Sequence, residues 1–178
     1  RLFDHRGKYK GAIERKRFEY LIRKILAKNP HIDRDNVMWE LSSLVERYSP
    51  LRQKSNNKKQ KADFKNEWSN KEELTEGLYD LMGIEHELFS HPLNESKKAK
   101  YNWAPSPRDA FFGSQIDSYS FNMHVLAMGN PQYKSEELLK FTKHAIQAAK
   151  TAPEDTPVAI LAFMPYFHDH KYENLLHN

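Results

Sequence analysis

The chain has 178 residues, which is enough for one domain with a buried core and too few for two of ordinary size. It contains no cysteine, which excludes disulfides and thiolate metal sites and predicts an intracellular compartment, nuclear or cytoplasmic. No apolar run is long enough to cross a bilayer, so no membrane partner is expected, and the net charge of +4 is compatible with a nucleic-acid partner.

The first part of the chain is predicted to be helical and basic. Apolar residues recur at helical spacing over residues 11–28, and Asn29-Pro30 ends the pattern. A second amphipathic helix is predicted from Asp33 to the Ser49-Pro50 pair, because proline disrupts the bonding of a helix interior. We therefore assign residues 1–68 to a helical, basic accessory region.

A lysine-rich segment with little to bury follows the second helix. Its candidate RNA-binding residues are Arg52, Lys54, Lys58, Lys59 and Lys61. The plain interpretation is a solvated loop. The alternative is a loop that becomes ordered when its cations contact RNA phosphates, and the two interpretations are compatible.

A third helix is predicted after the basic segment. Ser69 and Glu72 have the spacing of a capping box, and Gly83 is a typical residue for the end of a helix. The helical spacing of the leucines in between predicts an apolar face that packs on the core. Leu81 and Met82 belong to that predicted buried face.

The second half of the chain predicts a parallel α/β sheet. A short apolar run over residues 123–128 ends at Gly129, and residues 135–150 have the pattern of a helix. Residues 158–164 form a second apolar run between prolines, which is typical of a strand buried on both faces. Strand, helix and strand of these lengths predict a βαβ unit. We assign residues 69–178 to an α/β core.

The segment after the first predicted strand is the candidate site, because open α/β sheets bind ligands beyond the carboxyl ends of their strands. This segment is Asn130-Pro131-Gln132-Tyr133. The Asn130 amide oxygen can accept a hydrogen bond from an exocyclic amine, and Pro131 leaves its carbonyl oxygen available. Tyr133 offers a face on which a base can stack. The alternative is an ordinary turn, since Asn-Pro commonly begins one.

Four segments together resemble a known family. Strand-Asn-Pro-x-aromatic-helix is similar to the Asn-Pro-Pro-Phe loop of amino-methyltransferases. GIEHELFSHPLN (residues 83–94) and FFGS (residues 111–114) resemble segments of one branch, the cap-specific adenosine N6-methyltransferases of the phosphorylated-CTD-interacting-factor type. VAILAFMP (residues 158–165) is similar to that family's apolar strand. The resemblance covers residues 74–167, about half of the chain.

The resemblance implies a Rossmann-like methyltransferase core that methylates the exocyclic amine of adenosine in RNA, next to the cap, with S-adenosylmethionine as cofactor. It implies that Asn130, Pro131, Gln132 and Tyr133 form the catalytic loop around the target adenine. The cofactor side would be formed by Phe112, Gly113, Ser114, Pro92, Leu93 and Asn94. The helical first part would guide the RNA.

Departures from the family pattern leave alternatives open. Gln132 replaces the second proline of the loop, His91 replaces the serine of Ser-Pro-Leu-Asn, and FFGS continues as Gln115-Ile116 without a further glycine. A catalytically inactive relative that needs no cofactor and binds RNA or a partner protein is therefore the first alternative. Methylation of DNA adenine by the same loop is the second. Such a sheet also needs more strands than the two predicted here. The remaining strands lie elsewhere, are missing, or come from a partner protein.

A zinc site was the other candidate in this part of the chain. Residues 86–91 nearly match the His-Glu-x-x-His helix of zinc proteases, but His91 falls one position late. On a helix the two histidines would then point in different directions. We expect no metal site.

Overall fold

The elements that surround the site are short, and several come from parts of the chain without strong periodicity. The computed structural model describes residues 2–3, 9–52, 72–132 and 134–164. In chain order its elements are β1 (Leu2–Phe3), β2 (Tyr9–Gly11), α1 (Arg15–Lys28), α2 (Arg34–Arg52), α3 (Glu72–Met82), β3 (His86–Leu88), β4 (Tyr101–Ala104), a 3₁₀ helix (Pro107–Phe112), β5 (Gln115–Ile116), β6 (Leu126–Gly129), α4 (Ser135–Thr151) and β7 (Ala159–Ala162).

Strands β3 to β7 form one parallel sheet in the order β5-β4-β3-β6-β7. In β3, His86 lies opposite Tyr101 of β4 on one side and Ala127 of β6 on the other. In chain order, β3, β4 and β5 extend the sheet outward to one edge. The chain then crosses back and places β6 and β7 on the other side of β3. This is the strand order of the first five strands of a doubly wound sheet. The predicted α/β class, the parallel sheet and the βαβ unit β6-α4-β7 are confirmed.

The sequence pattern did not predict β3, β4 and β5, and it predicted one property of β7 wrongly. The four residues of β7 are each partly exposed, not buried on both faces. Among the described residues, β7 has a strand neighbour on one side only, where it pairs with β6. An edge strand leaves part of each side chain open, whatever its composition.

Helices cover both faces of the sheet. Ala127 of β6 packs with Phe141 of α4, whereas the next residue, Met128, packs with Tyr79 of α3. This follows from the alternation of side chains along a strand. The chain from β5 to β6 also lies on the α4 side, where Phe121 and Met123 join the same core as Phe141.

Helices α1 and α2 cover the connections from β3 to β4 and from β4 to β5, where the described chain has no α-helix of its own. Leu21 of α1 and Leu41 of α2 share one buried core with Leu93 and Phe112, which belong to those two connections. The helical region thus supplies the layer that crossover helices supply in other doubly wound sheets. The division into residues 1–68 and 69–178 stays a prediction.

Two predictions for the helical part need correction. The region is not purely helical, because β1 and β2 form an antiparallel pair that precedes α1. Gly11 makes this possible: its φ is +144°, and a Cβ atom there would lie 2.4 Å from Val45 Cγ1 of α2. Helix α2 continues past Pro50 to Arg52, which costs one hydrogen bond close to the helix end.

The buried face of α3 also differs from the prediction. Leu81 is 83% exposed and Met82 39%, whereas Thr75 and Tyr79, one turn apart, are buried. Hydrophobicity favoured the leucines, but the direction of the helix over the sheet presents Tyr79 to Met128. The predicted end of the helix at Gly83, with φ +63°, is confirmed.

A buried carboxylate joins α2 to the sheet connections. Asp109 of the 3₁₀ helix is completely buried and accepts hydrogen bonds from the Arg47 guanidinium at 2.6 Å and from the Tyr48 hydroxyl at 2.5 Å. Burial, followed by the bond to Asp109, raises the pKa of Tyr48, so its hydroxyl stays a donor. The interaction fixes the end of α2 that lies next to the candidate site.

Replacement of Asp109 by alanine should therefore lower the free energy of unfolding by about 2–4 kcal/mol, because it leaves a guanidinium and a hydroxyl without their acceptor. Urea unfolding at equilibrium measures this change. The matched control is Asp80→Ala, which removes an exposed ion pair with Lys98 and should cost less than about 1 kcal/mol. Equal losses in the two variants would contradict the role given to Asp109.

Two further carboxylates, Glu87 and Glu95, lie between α1 and β3. Glu95 is completely buried and its Oε1 accepts a hydrogen bond from Lys24 of α1 at 2.6 Å. Glu87 of β3 accepts one from the backbone N–H of Ser96 at 2.6 Å. Burial raises the pKa of Glu87 to about 7, although the Ser96 bond acts in the opposite direction. The Glu87 carboxyl group therefore ionises at a higher pH than an exposed glutamate does.

This raised pKa predicts that stability falls with increasing pH. The unfolded chain releases the Glu87 proton near pH 4.5 and the folded protein near pH 7, so the free energy of unfolding should decrease across that interval. The decrease should reach roughly 3 kcal/mol above pH 8, at about 1.4 kcal/mol per pKa unit. Glu87→Gln should make the profile measured by denaturant unfolding at several pH values less steep. Some slope should remain, because burial also raises the pKa of Glu95. Glu85→Gln, a change at the exposed neighbouring carboxylate, should preserve the wild-type profile, and an identical profile in Glu87→Gln and wild type would refute the assignment.

Candidate nucleoside and amine site

A cavity of about 490 Å³ lies at the carboxyl ends of the parallel strands. Its lining includes the residues that follow β3, β4, β5 and β6, together with one residue of α2 and one of α4. The connections of β3 and β6 leave the sheet in opposite directions, which makes this the topological switch point where doubly wound sheets bind ligands. The volume is within the range of small-molecule sites.

The β6 side of the cavity carries the predicted loop. Asn130 and Gln132 line the cavity, and Pro131 between them is fully buried. The carbonyl oxygen of Gln132 accepts a hydrogen bond from the Lys134 N–H at 2.7 Å, which closes a tight turn ahead of α4. The loop therefore presents two amide side chains to the cavity.

The β3 side begins with an unusual backbone. Phe89 has φ +63°, which is rare for a residue with a side chain and directs the chain sharply away from the strand. Ser90, which follows, is 3% exposed and lines the cavity, and its hydroxyl has no hydrogen-bond partner among the described residues. A buried hydroxyl without a partner is costly, which makes it a candidate ligand contact.

A compact turn completes this side. The side-chain oxygen of Asn94 accepts from the His91 N–H at 2.7 Å, and the His91 carbonyl accepts from the Asn94 N–H at 2.9 Å. The His91 ring stacks on Tyr48 of α2 with centroids 4.0 Å apart. Since Asp109 holds Tyr48, α2 forms a fixed wall of the cavity at this point.

The β5 side supplies a carboxylate and an aromatic ring. Asp117 has φ +55°, and its Oδ1 accepts from the Tyr119 N–H at 3.1 Å. The Tyr119 hydroxyl donates to Glu137 Oε1 of α4 at 2.7 Å. Burial, and then the bond to Glu137, raises the pKa of Tyr119, which keeps the hydroxyl protonated. The loop after β5 is thereby tied to the first turn of α4.

The charge of the cavity is one-sided. Asp117 and Glu137 line it, and none of its described lining residues is a lysine or an arginine. A lining of this kind favours a neutral or positively charged ligand and gives no support for phosphate. The loop after β3, residues 89–94, also lacks the glycines that hold a pyrophosphate in dinucleotide sites.

The structure brings some of the residues named from the sequence together and separates others. Asn130, Gln132 and Asn94 line the cavity, and Pro131, Pro92 and Leu93 are buried next to lining residues. Phe112, Gly113 and Ser114 do not line it. Gly113, with φ +90°, instead faces α1, where a Cβ atom would lie 3.1 Å from Lys24 Cε. Tyr133, Lys54, Lys58, Lys59, Lys61 and the side chain of Arg52 lie outside the described residues.

Sequence reasoning missed Tyr48, Ser90, Asp117, Tyr119 and Glu137, which the fold places around the cavity. Asp117 and Ser118 follow a strand of only two residues, so no periodicity marked them as the end of a strand. Asp117-Ser118 between two apolar residues was nevertheless a usable turn signal. His86 and Glu87 belong to β3, so the near match to a zinc-protease helix has no helix to support it.

Comparison with known families adds one finding. The model of the family described as phosphorylated CTD interacting factor 1 WW domain matches residues 10–177. The chain belongs to this family. The resemblance read from the four sequence segments is thereby confirmed at the level of the family. A search of curated proteins found no match.

The family description names a WW domain, whereas the described residues form a five-stranded parallel sheet with helices on both faces. The description therefore gives the family and not the fold of the described residues. In the described parts of the chain, no helix has the length and apolar character that a bilayer crossing requires.

Ser90→Ala tests whether the buried hydroxyl serves a ligand. Because this hydroxyl has no hydrogen-bond partner among the described residues, its removal should leave the free energy of unfolding unchanged or raise it by up to about 1 kcal/mol. The control is Thr142→Val, which deletes a buried hydroxyl that donates to the Leu138 carbonyl at 2.9 Å and should cost about 1 kcal/mol. Urea unfolding of both variants is the measurement, and a larger loss for Ser90→Ala than for Thr142→Val would exclude a ligand-directed hydroxyl.

Proposed function

We propose that the chain is the core of an S-adenosylmethionine-dependent methyltransferase that acts on the exocyclic amine of adenosine in RNA. The observation that carries this proposal is the position of Asn130-Pro131-Gln132 at the switch point, on a cavity with amide, hydroxyl and carboxylate groups. None of the described lining residues is a lysine or an arginine. Membership of the phosphorylated CTD interacting factor family supports it. The strand order supports the Rossmann-like core of the proposal.

The residues of the cavity fit the proposed cofactor. The cofactor carries a methyl group on a positively charged sulfur, and Asp117 and Glu137 favour such a charge. The buried Ser90 hydroxyl, without a partner among the described residues, can bond to a polar atom of a ligand. Phe89 and Trp103 add flat apolar surface for an adenine ring.

The residues of the loop would act by positioning. Asn130 would accept a hydrogen bond from the target amine through its side-chain oxygen, and the carbonyl of Pro131 would accept a second one. Two acceptors hold the two amine hydrogens, so the nitrogen lone pair turns out of conjugation with the ring. No nucleophilic side chain is needed, because proximity and electrostatics supply the rate enhancement.

A specific observation favours a second function, which is binding without catalysis. The carboxyl end of β4 is Ala104-Pro105, where doubly wound sheets commonly have an acidic residue that bonds to a ribose. The loop after β3 has no glycine, although a glycine-rich loop is common at that place. The family description also names an interaction with the phosphorylated CTD. In this second function the chain keeps the fold and binds RNA or a protein partner.

Methyl transfer decides between these two functions. The full chain is incubated with radiolabelled S-adenosylmethionine and with capped and uncapped RNAs that begin with adenosine. We expect label on adenosine, and we expect Asn130→Ala to reduce the rate by about 100-fold or more because it removes an acceptor at the reacting amine. The ratio of capped to uncapped RNA gives the preferred substrate.

The matched control is Asn122→Ala, an exposed asparagine on the connection from β5 to β6 that does not line the cavity. It should leave the rate unchanged. If the wild-type chain is folded, binds RNA and transfers no label to any of these RNAs, methylation of RNA is excluded and the binding function remains.

A further inference from the structure

The carboxylate of Glu137 is held in a fixed position next to the predicted loop. Glu137 belongs to the first turn of α4 and lines the same cavity as Asn130 and Gln132. Its Oε1 accepts the hydrogen bond from the Tyr119 hydroxyl at 2.7 Å. A carboxylate has further acceptor capacity beyond one such bond. Glu137 can therefore bond to Tyr119 and still interact with a ligand in the cavity.

Tyr119 is itself fixed by contacts that do not involve a ligand. Its N–H donates to Asp117 Oδ1, and its ring packs on Phe89 with centroids 5.3 Å apart. The ammonium of Lys140 lies 3.8 Å from the centre of the ring, and His144 meets the ring edge-on. The Glu137 carboxylate is therefore oriented before any ligand arrives, which lowers the cost of binding.

The place of Glu137 in the structure distinguishes it from the neighbouring carboxylate. Glu137 lies at the N-terminus of a helix of 17 residues, where the helix dipole stabilises negative charge. None of the described lining residues is a lysine or an arginine that could neutralise it from within the cavity. Glu136, one position earlier, is exposed and does not line the cavity. Position, rather than composition, sets Glu137 apart from its neighbour.

We infer that Glu137, positioned by Tyr119, recognises the positive charge of the sulfonium, so that the cavity binds S-adenosylmethionine more tightly than S-adenosylhomocysteine. This inference rests on the proposed function. The two molecules share their adenosine, ammonium and carboxylate groups and differ in the methyl group and the charge on sulfur. A fixed carboxylate in the wall of the cavity attracts the sulfonium and loses this attraction once the methyl group has left, which favours release of the product.

Isothermal titration calorimetry of the full chain with each of the two molecules tests this inference without requiring catalysis. Glu137→Gln should weaken the binding of S-adenosylmethionine by about five- to tenfold and that of S-adenosylhomocysteine by less than about twofold. Tyr119→Phe should give a smaller change in the same direction, because it frees the carboxylate without removing it. Glu136→Gln, the matched control, should change neither affinity.

The possible results separate the inference from the proposed function. Equal weakening of both molecules in Glu137→Gln would mean that the shared ammonium group is the one recognised, and it would overturn the inference alone. Unchanged binding in Glu137→Gln would also overturn the inference alone. If the folded wild-type chain binds neither molecule, the proposed cofactor is wrong and the inference fails with it.

Discussion

Strands β3 and β6 lie next to each other in the sheet, and their connections leave it in opposite directions, to β4 on one side and to β7 on the other. Between the two departing chains the carboxyl edge of the sheet stays open, and the cavity lies there. The parallel pairing of Leu88 with Gly129 brings Ser90, after β3, and Asn130, after β6, to the same edge of the sheet. The divergence of the two connections then leaves room for a ligand between them.

The walls of the cavity depend on contacts that extend well beyond the sheet. Asp109 holds Tyr48 of α2, Tyr48 stacks on His91, and the turn that contains His91 ends the β3 side. On the opposite side, Tyr119 ties the loop after β5 to α4 through Glu137. The helical part of the chain is thus part of the site's framework, which explains why the described connections between β3 and β5 can do without α-helices.

The predictable part of this structure was the part with strong local periodicity. β6 and β7 lie in continuous apolar runs, α4 has an amphipathic helical pattern, and Asn130 was found because it follows the first of these runs. β3, β4 and β5 have two to four residues each and include polar residues such as Glu87 and Asn102, so only their neighbours in the sheet define them as strands. Ser90 and Glu137 could not be predicted as partners in one site, because 47 positions separate them and only the strand order makes them neighbours.

Hydrogen–deuterium exchange of the full chain, with and without saturating S-adenosylmethionine, tests most directly whether this cavity holds the cofactor beside the Asn130 loop. We expect slower exchange of the backbone amides in residues 89–94 and 117–119 and around Asn130. Exchange in α3, which does not line the cavity, should be unchanged. Unchanged exchange in all three segments, or protection confined to residues that do not line the cavity, would contradict this position of the cofactor.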